Sequence, residues 1–188
     1  MSKSNTISVV LSAVGRFSEE DIARFESEAV LRQIRKGNEI LSFGQVSQSV
    51  YLVISGAAYQ FDYDQEGIEE NIVGLYTDGD WCFNHASFVS QKPSTTIMRA
   101  YSDMVVREIS VYAIHQLIAA SPAFFQLGGL LQKGTERLRY LETTKSASEK
   151  YALLVSSQPL LLQAFPLKMI ASYLKIAPET LSRLRAKK

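Results

Sequence analysis

The sequence is poor in the residues that hold metals and close staples. One cysteine, Cys82, and two histidines, His85 and His115, stand in 188 residues. A lone thiol closes no disulfide within its chain, so a stapled secreted scaffold is excluded and the composition fits a reducing cytoplasm. A four-cysteine iron–sulfur cluster within one chain is excluded as well. Ten glycines and five prolines rule out collagen-like and low-complexity chains. Met1 to Ile7 has no long apolar core before the polar stretch at Arg16, so no signal peptide is visible. Val111 to Gln132 lacks Asp, Glu, Lys and Arg, long enough to raise the question of a membrane span. It also carries His115, Gln116, Ser121, Pro122, Gln126 and the Gly128–Gly129 pair. Ser121 as cap and Pro122 at the first helical position mark a helix start, so two helices meeting there account for the segment. No membrane partner is expected.

What is present is ordinary for a globular chain: 46% apolar and 21% charged residues. The length suits one domain, or one domain with a small appendage. Cys82, between Trp81 and Phe83, reads as a buried small hydrophobe. The overall charge of +1 hides an asymmetry. From Pro166 onward six basic side chains stand against Glu179 alone, a net of +5, which leaves −4 for residues 1–165. A basic end on a mildly acidic body suggests an anionic partner for that end.

Ser18 before Glu19, Glu20 and Asp21 reads as a capped helix start. From about Ala29 to Ile109 short β runs are punctuated by Gly37, Gly44, Gly56, Gly74 and Gly79, where positive φ is commonly needed. Val50 to Ile54 is a continuous apolar run, as in a strand buried on both faces. Ala57, Tyr59, Phe61 and Tyr63 alternate with Ala58, Gln60 and Asp62, the pattern of a half-buried strand. Asp64–Gly67 and Tyr101–Asp103 read as hairpin turns. Many short strands at this spacing predict a mixed α and β chain built on an antiparallel jelly roll. After Ile109 the period becomes helical. From Pro122 a stripe of Phe124, Leu127, Leu131, Leu138 and Leu141 predicts a helix of some 24 residues, roughly 36 Å long. Such a helix either packs on its own β domain or pairs with a twin, and the small residues on it favour the twin, in a homodimer. No internal repeat is apparent.

Pro166 to Leu174 reads as a short amphipathic helix, Lys175–Ala177 as a tight connection, and Pro178 to Arg185 as a second helix with proline at its first position. Ile170, Leu174, Ile176, Leu181 and Leu184 fill the angle between them, the layout of a helix-turn-helix. The second helix then presents Glu179, Ser182, Arg183 and Arg185. Arginine can bond guanine bidentately, glutamate accepts from cytosine, and serine or lysine holds phosphates, which points to double-stranded DNA. The alternative at this level is a plain helical hairpin packed on the body.

Ile170-Ala-Ser-Tyr-Leu174 followed by Pro178-Glu-Thr-Leu-Ser-Arg183 resembles the DNA-reading motif of the Crp/Fnr family of bacterial transcription regulators. Upstream, Arg35-Lys-Gly-Asn-Glu-Ile40, Tyr51-Leu-Val-Ile-Ser-Gly56 and Gly79-Asp-Trp81 resemble the signature of the cyclic-nucleotide-binding β roll. The resemblance covers nearly the whole chain. It implies a sensor β roll with N-terminal helices over residues 1–121, a long dimerisation helix over 122–146 and a short helical DNA-binding module over 147–188. It also implies a module whose orientation answers to a ligand, and no enzymatic activity or cofactor.

Two departures stand out. In cAMP-responsive members a glycine and a glutamate open the phosphate-binding cassette, and an arginine some ten residues on pairs with the cyclic phosphate. Those positions fall on Phe83, Asn84 and Ser94, followed by Thr95 and Thr96. Without the arginine a phosphate lacks its cation, and Phe83 would crowd backbone that a glycine leaves open, so neither cAMP nor cGMP is expected to bind. Asn84, His85, Ser94, Thr95 and Thr96, with Arg139 and Tyr140 from the long helix, form the remaining ligand-pocket candidates. Either they hold a different anionic or aromatic effector, or they satisfy one another and the sensor is vestigial; the sequence leaves both open. The second departure is the missing β wing. The chain stops at Lys188 with Arg185, Lys187 and Lys188 in its last four residues, which reads as a deliberate stop whose cations replace wing contacts to phosphates. Pro178 replaces an arginine and Ala177 is a poor cap, so base contacts rest on Glu179 and Arg183. Binding is then weak without a partner such as RNA polymerase. The competing functions are a ligand sensor that no longer reads DNA and, from jelly-roll architecture, a cupin-like metal enzyme. The second needs a histidine cluster, and two scattered histidines do not make one.

Overall fold

The computed structural model describes residues 3–64, 66–129 and 146–186. Most of the expected long helix, with Arg139 and Tyr140, and the terminal Lys187 and Lys188 lie outside the described residues. The chain opens with α1 (Lys3–Ser12) and α2 (Glu19–Glu28). At the start of α2 the Ser18 hydroxyl accepts from the Asp21 amide while the Asp21 carboxylate accepts from the Ser18 amide, a reciprocal capping box. α1 was expected only from the family resemblance, since no cap or clear apolar stripe marks it; Ile7 and Leu11, one turn apart, are buried and hold it against the body.

Eight strands follow: β1 (Val30–Ile34), β2 (Glu39–Leu41), β3 (Ser49–Ser55), β4 (Ala58–Tyr63), β5 (Glu70–Tyr76), β6 (Trp81–Cys82), β7 (Ile97–Ala100) and β8 (Met104–Ser110), with the short helix α3 (His85–Ser90) between β6 and β7. They form two four-stranded sheets, ordered β1-β8-β3-β6 and β2-β7-β4-β5, with every described pairing antiparallel. The jelly-roll expectation holds. The sheets face one another across Val53, Met104 and Val106 on one side and Leu41, Ala58, Met98 and Ala100 on the other, with Cys82 fully buried among them. The apolar run in β3 is buried on both faces as expected: Val53 points into the roll, whereas Val50 and Leu52 meet the helices outside it.

Gly56 shows why glycine punctuates this region. Its φ is +99°, and a Cβ there would lie 2.5 Å from the Asp103 carbonyl oxygen, so the β3–β4 turn can press against the β7–β8 turn only without a side chain. Gly74 departs from the sequence expectation. It is not at a positive φ; its place is set by Tyr76, whose hydroxyl would lie 2.8 Å from an added Cβ.

Ser110 caps α4 (Val111–Ala120). Beyond it, Pro122–Leu127 is a 3-10 turn rather than the first turns of an α-helix. Phe124 and Leu127, three residues apart, are both buried, the spacing that eclipses side chains on a 3-10 turn. At the C-terminus come α5 (Ala147–Ser157), α6 (Leu161–Ala164), α7 (Leu167–Leu174) and α8 (Pro178–Ala186). These helices cover the outer face of the second sheet. Tyr59, Phe61, Ile72 and Leu75 from that sheet share one buried core with Leu154, Phe165, Ile170, Tyr173 and Leu181 from the helices. The half-buried reading of β4 is therefore corrected. Its even-numbered side faces the roll and its odd-numbered side faces the C-terminal helices, so both faces are covered. No helix among the described residues is long and apolar enough to cross a membrane.

Candidate nucleic-acid interface and sensor cassette

The turn after β6 places Asn84 at the N-cap of α3, where its Oδ1 accepts from the Ser87 amide at 2.9 Å. His85 is the first residue of this helix. The Asn84 Nδ2 donates to Ser94 Oγ and Thr96 Oγ1, both at 2.8 Å. Ser94 Oγ in turn donates to the Thr96 carbonyl at 2.6 Å. Thr96 Oγ1 also accepts from Gln60 Nε2 at 2.7 Å, and Gln60 Oε1 accepts from the Tyr76 hydroxyl at 3.0 Å. A chain of hydrogen bonds thus runs from the cassette, through the residues just before β7, to β4 and β5. Asn84 and Ser94 are almost fully buried, and their polar atoms bond one another.

Of the predicted pocket residues, Asn84, Ser94 and Thr96 come together in this chain. Thr95 is exposed. Phe83 turns away from it and packs edge-on against Phe88 in the layer of helices, ring centroids 5.6 Å apart. Gln60 and Tyr76 were missed by sequence reading, because nothing in β4 or β5 marks a polar side chain that turns inward toward a distant cassette. Two open clefts, of ≈400 and ≈300 Å³, lie elsewhere, both touching Ile40, Tyr51 and Glu108. None of Phe83, Asn84, Ser94, Thr95 or Thr96 lines either one. Glu108 accepts from Ser49 at 2.8 Å and pairs with Arg32. Burial first, and then the Glu108 charge, push the Tyr51 phenol up to about 12, which keeps it a hydrogen-bond donor. No group of three or more His, Cys, Asp or Glu that could hold a metal occurs among the described residues.

On the outer face of the second sheet Arg99 joins three strands. It donates to Glu39 at 3.1 Å, to Glu70 at 2.9 Å and to the Tyr59 hydroxyl at 3.2 Å, with its guanidinium 4.7 Å from the Phe61 ring centroid. The Glu39 carboxyl is held below its ordinary value, first by the Ser42 hydroxyl and then by Arg99.

α7, the turn after it and α8 lie where the sequence places them, whereas α5 and α6 before them carried no sequence expectation. Pro166 precedes α7, and Lys175 ends it in the left-handed conformation at φ 56°. Pro178 opens α8. Ile170, Leu174 and Leu181 are fully buried where the two helices meet. Glu179, Ser182, Arg183 and Arg185 are all exposed. The six cations at this end divide. Lys168 pairs with Glu69 at 3.4 Å, and Lys175 Nζ donates to Asn71 and lies 3.4 Å from the Ile72 carbonyl, so both are turned to the sheet. Burial lowers the Lys175 ammonium below the usual lysine range. Arg183 and Arg185 are left on the open side.

Residues 31–121 match the family model described as the cyclic nucleotide-binding domain. Among solved structures the chain is similar to FixK2 from Bradyrhizobium japonicum, at 19% identity over 85% of this chain and 83% of that one, TM-score 0.64. It is similar also to the catabolite activator protein of Thermus thermophilus, at 22% identity over 91% and 83%, TM-score 0.54. A third likeness is to CLP, the c-di-GMP-responsive global regulator of Xanthomonas campestris, at 19% identity over 90% and 91%, TM-score 0.58. At these identities the likenesses establish the fold, and they run beyond residues 31–121 into the C-terminal helices. No curated protein matches the chain.

Proposed function

We propose that the chain is a dimeric DNA-binding transcription regulator of the Crp/Fnr type whose cyclic nucleotide-binding domain no longer takes cAMP or cGMP. One observation carries the reading. α7, the Lys175–Ala177 turn and α8 bury Ile170, Leu174 and Leu181 between them while Glu179, Ser182, Arg183 and Arg185 stay in solvent. A helix that buries its apolar face against its partner and exposes arginine, glutamate and serine is suited to the major groove. Arg183 and Glu179 would read bases; Ser182, Arg185, Lys187 and Lys188 would hold phosphates. Two such modules related by a dimer axis would read half-sites about 34 Å apart. The regulators with the same fold support this, one of them named for virulence gene expression.

The loss of cyclic nucleotide binding is supported by the cassette itself. A phosphate there would meet an amide and two hydroxyls already bonded to one another, with no cation at position 94. The self-satisfied chain favours a vestigial cassette over one that holds a different ligand, so Arg139 and Tyr140 carry no role in this reading. A sensor without DNA binding is the second reading, favoured by the shared core that docks the C-terminal helices on the sheet.

Selection of binding sites from random double-stranded DNA separates the two. A palindromic consensus that disappears with Arg183→Ala supports the regulator. No enrichment at low salt with either protein, while the wild type is a dimer in solution, supports the sensor.

A further inference from the structure

Strand β5 is the edge of the second sheet and carries one residue too many. Gln60 pairs with Gly74 and Phe61 with Ile72, so Val73 is the extra residue of a β-bulge. The two flanks of the bulge touch different things. On the inner flank Gly74 lies under the Tyr76 hydroxyl, the end of the hydrogen-bond chain that starts at Asn84. On the outer flank the Ile72 amide, which an edge strand leaves without a strand partner, donates to Ser172 Oγ at 3.0 Å. Ser172 sits in the last turn of α7, and Lys175, three residues on, reaches back to Asn71 and the Ile72 carbonyl. Pro178, which opens α8, follows three residues after Lys175.

We propose that the bulge at Ile72–Val73–Gly74 couples the inner hydrogen-bond chain of the roll to the position of the turn between α7 and α8. Three facts make the bulge suited to this. It stands between the two contact sets with no intervening residue but Val73. An extra residue lets a strand shift locally without breaking its sheet. The outer contacts are hydrogen bonds with fixed directions, and on the inner side the Tyr76 ring lies close against Gly74 while its hydroxyl is held by Gln60, so neither flank slides freely past its partner. Displacing Tyr76 from Gln60 moves Gly74, Ile72 follows, and the Ser172–Lys175 clasp follows Ile72. The chain needs no nucleotide for this; any event that opens the Asn84–Thr96–Gln60–Tyr76 chain acts on the turn. That the turn then governs DNA affinity rests on the function proposed above, whereas the coupling itself does not.

The test is amide hydrogen exchange by NMR on the full chain with Tyr76→Phe, Ser172→Ala and the double variant. Val106→Ala, in the facing sheet, serves as a control for plain loss of stability. Ser172→Ala removes the direct bond and should speed exchange at Ile72 by about tenfold or less, as loss of one ordinary hydrogen bond would. Coupling requires that Tyr76→Phe also speed Ile72 several-fold beyond what Val106→Ala does at equal global stability. It requires in return that Ser172→Ala speed exchange of the Gln60 side-chain amide, since coupling between sites is reciprocal, and that the double variant depart from additivity. Effects confined to each variant's own flank overturn the proposal. Coupled exchange with unchanged DNA binding keeps the coupling and rejects control of DNA affinity by the turn; coupled exchange with no DNA binding by any of the proteins keeps the coupling and rejects the DNA reading.

Discussion

The Ser172 hydroxyl accepts a hydrogen bond from the Ile72 amide at 3.0 Å, joining residues a hundred positions apart in the chain. It satisfies a backbone donor that an edge strand would otherwise present to solvent, and it does so from α7, the helix just before α8. Ser172→Ala should lower unfolding free energy by about 0.5–1.5 kcal/mol. Urea unfolding of the two proteins measures this; an unchanged midpoint would mean that water replaces the hydroxyl at no cost.

Asn84 has two tasks, capping α3 and bonding Ser94 and Thr96. Asn84→Ala removes the cap and leaves buried hydroxyls short of a donor, so a loss of about 2–3 kcal/mol is expected from the two effects together. Asn84→Asp should keep the cap but lose the donation to Ser94 and Thr96, and fall between the two. Thermal unfolding of the three proteins gives the order; Asn84→Asp as weak as Asn84→Ala would remove capping from the account.

Gly74→Ala tests the packing of Tyr76. The new methyl would lie 2.8 Å from the Tyr76 hydroxyl and 3.0 Å from its ring, so the ring must move although the backbone conformation is ordinary. A cost of about 1–3 kcal/mol follows from overpacking. Gly74→Ala in a Tyr76→Leu background should cost much less, and equal costs in both backgrounds would contradict the contact.

Glu39 gives the pH dependence a sign. Its folded carboxyl titrates below the ordinary value, so the unfolded chain binds the proton more readily. The stability that Glu39 contributes is present above the unfolded value near 4.5 and is lost as pH falls through the lower folded value. The difference in stability between wild type and Glu39→Gln should therefore be constant at neutral pH and shrink below about 4.5. A difference that grows on acidification would reverse the assignment.

Much of this was legible because the signals were local. Ser18 with Asp21, the apolar run in β3, and Pro178 opening a helix after the Lys175 turn are each decided by a few neighbouring residues. The cassette was legible only as a departure: Asn84 and Ser94 stand where a glutamate and an arginine are expected, but their bonds to each other depend on a loop folding back. The missed features are those set by distant packing. Tyr59 and Phe61 show an apolar face without showing that α7 covers it, and Pro122 announces a helix start without showing that Phe124 and Leu127 settle into a 3-10 turn. The charge at the C-terminus was read as one patch, whereas Lys168 and Lys175 belong to the sheet contact and Arg183 and Arg185 do not.

The central claim is that α8 reads DNA, and equilibrium binding of wild type and Arg183→Ala to a selected palindromic duplex over a range of salt tests it most directly. With three phosphates neutralised per subunit, log affinity of a dimer should fall against log salt with a slope of about −5, and Arg183→Ala should lose most of the preference for the palindrome over scrambled duplex. Wild-type binding that is equally strong for the palindrome and for scrambled duplex, or that survives Arg183→Ala unchanged, would contradict it.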